Sequence, residues 1–255
     1  MSPSWTLTEI ESCASTQDEA RERLIKSGED FVAVRAEKQS RGRGRQDREW
    51  VSPAGNLFLS LGFRIDPSVA RPWPFVSLLT GMAAARSLEN LGCWDSSCFV
   101  KWPNDLYRLQ GKTLAKIGGI LTELRKDILL VGIGINVETA PEIAGPYATT
   151  SLKNIALKPP TASQLAQILS SDLKSLIEAW IASPKDISEN CIRELSSLWM
   201  KHFFSMTGEV EGMGRVRVLG LLHDGRLSVH GVADPNQTRI VSSGEFSLLP
   251  EPTEL

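Results

Sequence analysis

The chain has 255 residues, 42% of them hydrophobic and 23% charged, with 28 basic against 30 acidic side chains and a formal net charge of −2. Such figures describe an ordinary globular protein with one large domain or a large and a small one, and they exclude the broad positive footprint of a general nucleic-acid binder. No apolar run reaches the roughly 18 to 20 residues needed to cross a bilayer, so no membrane partner is expected. The start, Met1-Ser2-Pro3-Ser4-Trp5, lacks the basic-then-apolar pattern of a secretory signal, and a cytoplasmic location is the expectation. Cys13, Cys93, Cys98 and Cys191 form no C-x-x-C pair, and the only histidines are His202, His223 and His230. Neither a zinc site nor a disulfide framework follows from that.

In chain order, residues 5–11 alternate as a strand. Ser15-Thr16-Gln17-Asp18 then opens a helix that runs to about Lys26 and stops at Gly28. Ser15 and Asp18 have capping-box spacing, but a helix N-terminus with hydroxyls and unpaired N–H groups also suits a polar ligand head. Residues 31–36 form the next strand and lead into a basic loop. Between Arg35 and Arg48 this loop carries six cations, counting Lys38, around Gly42 and Gly44. Glycine lets backbone N–H groups approach an anion, and each arginine offers a fork of donors that stays charged. An arginine-glycine RNA-binding tract is the competing reading of the loop alone. The loop occurs once and runs directly into an alternating strand over residues 56–64, as expected of a loop held by a scaffold.

Residues 73–91 read as a helix opened by Pro74 and ended by Gly92, with Phe75, Leu78, Leu79, Met82 and Ala85 as its buried stripe. A short strand over 98–102 is halted by Pro103. The run Lys101-Trp102-Pro103-Asn104-Asp105 then reads either as a plain turn or as a phosphate and magnesium corner. Residues 116–124 and 128–137 form a hairpin in mid-sheet, and its isolated glycines mark close approach by a ligand or by packed structure. Two nucleotide motifs fail here. Gly132-Ile133-Gly134 has no third glycine at dinucleotide spacing, and Leu106 stands where a P-loop ending in Gly111-Lys112-Thr113 needs its first glycine. After a long connection, amphipathic helices are expected over 162–181 and 187–202. From residue 208 short strands broken by glycine, with an Asp224-Gly225 hairpin turn, predict a small C-terminal β-barrel, the boundary falling near Ser205.

By order and spacing these segments resemble the catalytic core of the biotin protein ligases, enzymes that attach biotin to a carrier-protein lysine. The likeness is carried by Ser15-Thr16-Gln17, Gly42-Arg43-Gly44-Arg45 with Trp50, the run 52–57, Lys101-Trp102-Pro103-Asn104-Asp105, Lys116 to Leu121, Gly132 to Asn136 and the C-terminal strands. The resemblance implies an α/β (α+β) mixed-sheet catalytic domain over residues 1–204 and an SH3-like barrel over 205–255. It implies that Ser15, Thr16, Gln17 and Gln39 bound a biotin pocket, with Arg43, Gly44 and Arg45 on a loop over biotin and its adenylate. Lys116 would meet the biotin carboxylate, and Gly118 and Gly119 would permit backbone approach. Arg45, Arg48, Trp50, Lys101, Asn104, Asp105 and Asn136 would face ATP or the adenylate, with Asp105 as a magnesium ligand and Arg45, Lys101 and Lys116 carrying the catalysis.

The implied partners are ATP, Mg²⁺, biotin and the biotin carboxyl carrier domain of a carboxylase, with monomer and homodimer both open. No winged-helix segment precedes Trp5, so the chain is expected to be a ligase-only form that binds no DNA. Asp47 departs from the family's usual glycine, and Lys112 lies near enough to Lys116 to compete for its assignment. A lipoate or octanoate ligase-like enzyme is the neighbouring alternative, and an RNA-binding module the remote one.

Overall fold

The alternating runs of the first half of the chain build one large sheet. The computed structural model describes residues 5–46, 48–66, 75–111, 113–142, 147–182, 189–190, 193, 207–222, 224–242 and 246–248. The elements are β1 (Leu7–Cys13), α1 (Thr16–Ser27), β2 (Phe31–Gln39), β3 (Leu57–Arg64), α2 (Phe75–Asn90), β4 (Cys98–Lys101), β5 (Asp105–Gln110), β6 (Thr113–Arg125), β7 (Ile128–Ile135), β8 (Ala148–Thr149) and α3 (Ala162–Ala182). The sheet runs β1-β2-β3-β7-β6-β5-β4, with β8 paired beside the start of β6. Pairing is parallel for β1 with β2 and β6 with β8, and antiparallel elsewhere. The expected mixed sheet is present, and its central hairpin is β6–β7.

Successive strand residues point to opposite faces, so the two cores can be read from the strands. Phe31 and Ala33 of β2 and Leu129, Val131 and Ile133 of β7 face the main core, where α2 and α3 pack. Val32 and Val34 of β2 and Ile128 and Leu130 of β7 face the other way, onto Ala20 and Leu24 of α1. Helix α1 packs mainly on β2, β3 and β7. The second face of the sheet is therefore covered over one half and left open to the loops over β6, β5 and β4.

Two expectations are revised. Helix α2 is buried over nearly its whole circumference, from Phe75 through Leu88, and not along one stripe. It lies between the large sheet, α3 and the C-terminal strands, whose Gly225 sits against Phe75 and Leu78. The turn after Lys101 leads into an unforeseen strand, β5, whose Asp105 pairs with Lys101 of β4. The helix expected over 187–202 lies mostly outside the described residues, as do Pro74, Lys112, Cys191, His202, His223 and the boundary near Ser205.

The C-terminal strands are β9 (Thr207–Val210), β10 (Gly214–Leu221), β11 (Leu227–Gly231), β12 (Thr238–Val241) and β13 (Phe246–Leu248). They form an antiparallel sheet in the order β12-β11-β10-β9-β13. Among the described residues β12 and β13 do not pair, so the expected barrel is seen as an open five-stranded sheet. Trp102 fastens it to the large sheet: its indole N–H donates to Gly225 O at 2.8 Å and its ring meets Phe246 edge-on.

Candidate active site

Cross-strand register explains the open half-face. One row across the sheet reads Phe58, Gly134, Gly119, Asp105 and Lys101 on β3, β7, β6, β5 and β4. The row beside it holds Ser60, Gly132 and Leu121. Glycines at 119, 132 and 134 leave a floor without side chains at mid-sheet, and polar groups stand around it.

At one end is the N-terminus of α1. Ser15, Thr16 and Gln17 are all buried. Ser15 occupies the N-cap position, but its side chain makes no capping hydrogen bond, contrary to its capping-box spacing. Gln39, at the end of β2, does that work: its Oε1 accepts from Thr16 N at 2.8 Å and from Thr16 Oγ1 at 3.0 Å. A residue 23 positions away thus satisfies a helix-end N–H that would otherwise be orphaned. Thr16 Oγ1 also bonds Ser60 Oγ at 2.8 Å. Gln17 lies on Gly132 and donates to Leu121 O at 2.8 Å, while its buried Oε1 has no partner among the described residues.

Over the glycines lies the basic loop. Its ends meet where Trp50 N donates to Gly42 O at 2.9 Å, and Gly44 N donates to Arg48 O at 2.7 Å inside it. Gln39 Nε2 donates to Ser52 Oγ, which donates to Trp50 O, tying the loop to the helix end. The Trp50 ring rests on the bare backbone of β7 and β6. A Cβ at Gly134 would fall 2.5 Å from the ring, and one at Gly119 3.2 Å from it. The buried indole N–H of Trp50 has no acceptor among the described residues. An unpaired acceptor on Gln17 and an unpaired donor on Trp50 over one glycine floor are the expected complement of a polar ligand head, because a buried polar group left unmatched is costly.

The cations divide by partner. Arg43 is pinned, donating to Asp18 Oδ1 and Oδ2 at 2.8 and 2.7 Å and reaching Glu123 at 3.4 Å. Burial works against its charge, but the Asp18 hydrogen bonds and the two carboxylates hold its pKa above the ordinary value. Arg45 donates to Asn104 Oδ1 at 2.9 Å. Its pKa is pulled down by burial and by Arg48, with Asp105 opposing. Arg48 bonds Gln46. Lys116 Nζ pairs with Asp105 Oδ1 at 2.8 Å and stands 5.3 Å from the Trp50 ring centre. Lys101 is lowered by burial first and then by Lys116, Arg45 and Arg48, with Asp105 opposing.

Asn104, buried at 8% exposure, bonds the β6 backbone at Ile120 O while accepting from Arg45. Asn136 spends its amide N–H on Thr150 O and Lys116 O, fixing the backbone beneath Lys116. Gly118 serves the sheet itself: a Cβ there would come within 2.6 Å of Gly134 O. The site residues expected from the sequence thus stand at one half-face, except Gly118, which lies in register with the main-core residues Leu106 and Ile135 on the opposite face; Asp47 lies outside the described residues. Sequence reading missed the carboxylates Asp18 and Glu123 that hold Arg43, and the hydroxyl groups of Ser52 and Ser60. Asp18 reads in the sequence only as a helix-cap residue and Ser52 only as part of the run 52–57, and Glu123 and Ser60 carry no local signal.

The loop and residues 121–123 border an open cleft of about 650 Å³. A second crevice of about 530 Å³ runs between the two sheets past Trp102 and Gly225, and Arg45 borders both. For magnesium the donor set is sparse. Asp105 is a single carboxylate already bonded to Lys116, and no cluster of three metal-binding side chains occurs among the described residues. It suits a metal carried in on phosphate oxygens, with Asp105 as one protein ligand, better than a resident ion.

A glycine-floored sheet face under an arginine loop in an α/β protein suits an anionic ligand, and comparison makes the class specific. The chain belongs to the biotin/lipoate A/B protein ligase family, whose model matches residues 10–139, half of the chain. It is 34% identical over 153 residues to the biotin–[acetyl-CoA-carboxylase] ligase of Mycobacterium tuberculosis, covering 59% of this chain and 56% of that one. It is 42% identical over 119 residues to the bifunctional ligase/repressor BirA of Escherichia coli, covering 44% of this chain and 34% of that one. The chain therefore spans roughly a third to a half of these relatives. Among solved structures, the Aquifex aeolicus biotin protein ligase in complex with biotin and ATP superposes with a TM-score of 0.69 at 27% identity, over 96% of this chain and 99% of that one. The Leishmania major enzyme in complex with biotinyl-5-AMP does so with a TM-score of 0.65 at 26% identity, over 93% and 99%.

Proposed function

We propose that this chain is a biotin protein ligase: it joins biotin and ATP into biotinyl-5'-AMP with release of pyrophosphate, then passes biotin to a lysine of a biotin carboxyl carrier domain. The observation that carries the reading is the gathering of Arg45, Lys101 and Lys116 around one glycine floor, in a family whose solved members are described with biotin, ATP and biotinyl-5-AMP. Residues 1–204 would form the catalytic domain and 205–255 a small C-terminal unit.

In this reading the biotin head enters beside the α1 N-terminus. Thr16, Gln17 and Gln39 would recognise it, the unpaired Gln17 Oε1 taking a ligand N–H. Gly119 would let the backbone of β6 approach, and Arg43 and Gly44 belong to the loop above. The carboxylate of biotin attacks the α-phosphorus of ATP, and pyrophosphate leaves. Charge accumulates around that phosphorus, so catalysis rests on fixed cations and positioning, with no protein nucleophile needed. Lys116 would leave Asp105 for the carboxylate or phosphate, and Arg45, Lys101 and Arg48 would meet phosphate oxygens. Trp50, moving off Gly134, would cover the ligand, while Asn104 and Asn136 keep Arg45 and Lys116 in place. Magnesium bound to ATP would add a Lewis acid at the phosphates. In the second step the acceptor amine attacks the mixed anhydride and AMP departs.

The test is to incubate the purified chain with MgATP and either biotin or lipoate and to identify acyl-adenylates by mass spectrometry. Biotinyl-adenylate alone is expected. Lipoyl-adenylate instead would reassign the substrate within the family, and no adenylate with either would overturn the reading.

A further inference from the structure

We propose that Tyr107 and Tyr147 are positioning residues that hold Lys101 as a cation matched by ring faces and kept available for a phosphate group. The proposal rests on the ligase reading and adds to it two residues outside the sequence motifs. The ammonium of Lys101 stands 5.6 Å from the centres of both rings. The two rings are edge to face, 5.5 Å apart at 81°. Tyr107 is buried and is backed by Phe99, stacked at 6.1 Å and 16°. Phe99 and Tyr107 are opposite residues on β4 and β5, so the ring wall is built into the sheet beside Lys101.

The other cations of the face have different partners. Arg43 is held by Asp18 and Glu123, and Lys116 by Asp105, so each must break an ion pair to meet an incoming anion. Among the described residues Lys101 has no carboxylate within salt-bridge distance. An aromatic face attracts a cation without cancelling its charge, and the rings exclude water from one side, which strengthens the pull on a phosphate. Burial and the Asp105 charge push both phenols up, so neither ring serves as a phenolate partner. The rings also restrict a flexible lysine stem before ligand arrives. Tyr147 comes from the segment leading into β8, whose Thr150 N donates to Lys116 O at 2.9 Å. One segment therefore braces both lysines.

The test compares Tyr147→Leu, Tyr147→Phe and Lys101→Met by biotin-dependent pyrophosphate release from MgATP. NMR of the ligand-free protein monitors the ring-current shift of the Lys101 ε-methylene. Tyr147→Leu is expected to lower kcat roughly 10- to 30-fold with KM for biotin within about two-fold. It should also move the ε-methylene resonance downfield. Tyr147→Phe should restore both, and Tyr147→Leu should add nothing on a Lys101→Met background. Unchanged kcat in Tyr147→Leu, equal loss in Tyr147→Phe, or a multiplicative double mutant would each overturn the proposal. An unshifted ε-methylene in wild type would overturn the geometry alone. A shifted one with no pyrophosphate released would overturn the ligase reading and, with it, this role. Tyr107→Leu removes a buried ring and serves only as a supporting variant.

Discussion

The second face of the large sheet is one surface with two fates. Over β2 and the start of β7 it carries Val32, Val34, Ile128 and Leu130 beneath Ala20 and Leu24. A few residues along the same β7 strand, the inward positions are Gly132 and Gly134, and the covering groups are Gln17 and Trp50. Nothing in the backbone changes between the two halves, which share one ladder to β3 from Ile128 to Ile135. The change is in side-chain volume. Leucine and isoleucine fill the space under a helix, whereas glycine leaves a space that a ligand or a loop aromatic can enter. The comparison predicts that lesions in the covered half act on stability and lesions in the open half act on rate.

The largest effect is expected in the open half. Lys116→Ala and Arg45→Ala should each lose about 3 kcal/mol of transition-state stabilisation, roughly two to three decades in adenylate formation. The unfolding midpoint should barely move, since neither side chain belongs to a core. Pyrophosphate release and thermal unfolding on the same preparations would check both halves of the statement, and a normal rate would remove the residue from the site. Leu24→Ala is the converse experiment. Leu24 is fully buried in the small core beneath α1. Truncation should cost about 2–4 kcal/mol in urea unfolding and leave the rate per folded molecule unchanged. A rate loss as large as that of Lys116→Ala would mean that the two halves are not separate.

Gln39 stands on the border and should show both effects in smaller measure. Removing its amide leaves the Thr16 N–H without an acceptor at a buried helix end and unties Ser52 from the helix. Gln39→Ala should therefore cost about 1–2 kcal/mol of stability and also raise KM for biotin. Stability loss with unaltered KM would place Gln39 wholly on the structural side.

How much of this was legible follows the range of the interactions. The sheet, α1, α3 and the β6–β7 hairpin were readable because alternation and helical periodicity are local signals. The run from Lys101 to Asp105 was readable as a turn, which residues 102–104 form. Strand β5 behind it was not, since only Leu106 and Tyr107 of its six residues are buried and its last two are exposed. The breadth of α2 burial was hidden because its extra cover comes from Gly225, far along the chain. The capping role given to Ser15 belongs to Gln39 for the same reason: local spacing proposes a cap, but a neighbouring strand supplied a better acceptor. Trp50 resting on Gly134 joins residues 84 apart in number, and only the glycine hinted that something must lie there.

The smallest effect, and the one that most sharpens the border, is at the rim pair of Arg43 and Asp18. A single guanidinium nitrogen, Nη1, serves both oxygens of Asp18, and the side chains are 37% and 49% exposed, so solvent and salt screen the attraction. Asp18→Asn should change stability by less than about 1 kcal/mol, and the difference from wild type should shrink further in high salt. Its effect on function has a definite sign if the pair restrains the loop. With Asp18 neutral, Arg43 keeps only Glu123 at 3.4 Å, and less has to be broken for the loop to rearrange around a ligand. Stopped-flow biotin binding should then show a faster association at low ionic strength that converges on wild type as salt rises. A slower association would mean instead that the ion pair holds the loop in its binding shape, and that the open half-face is assembled before ligand arrives.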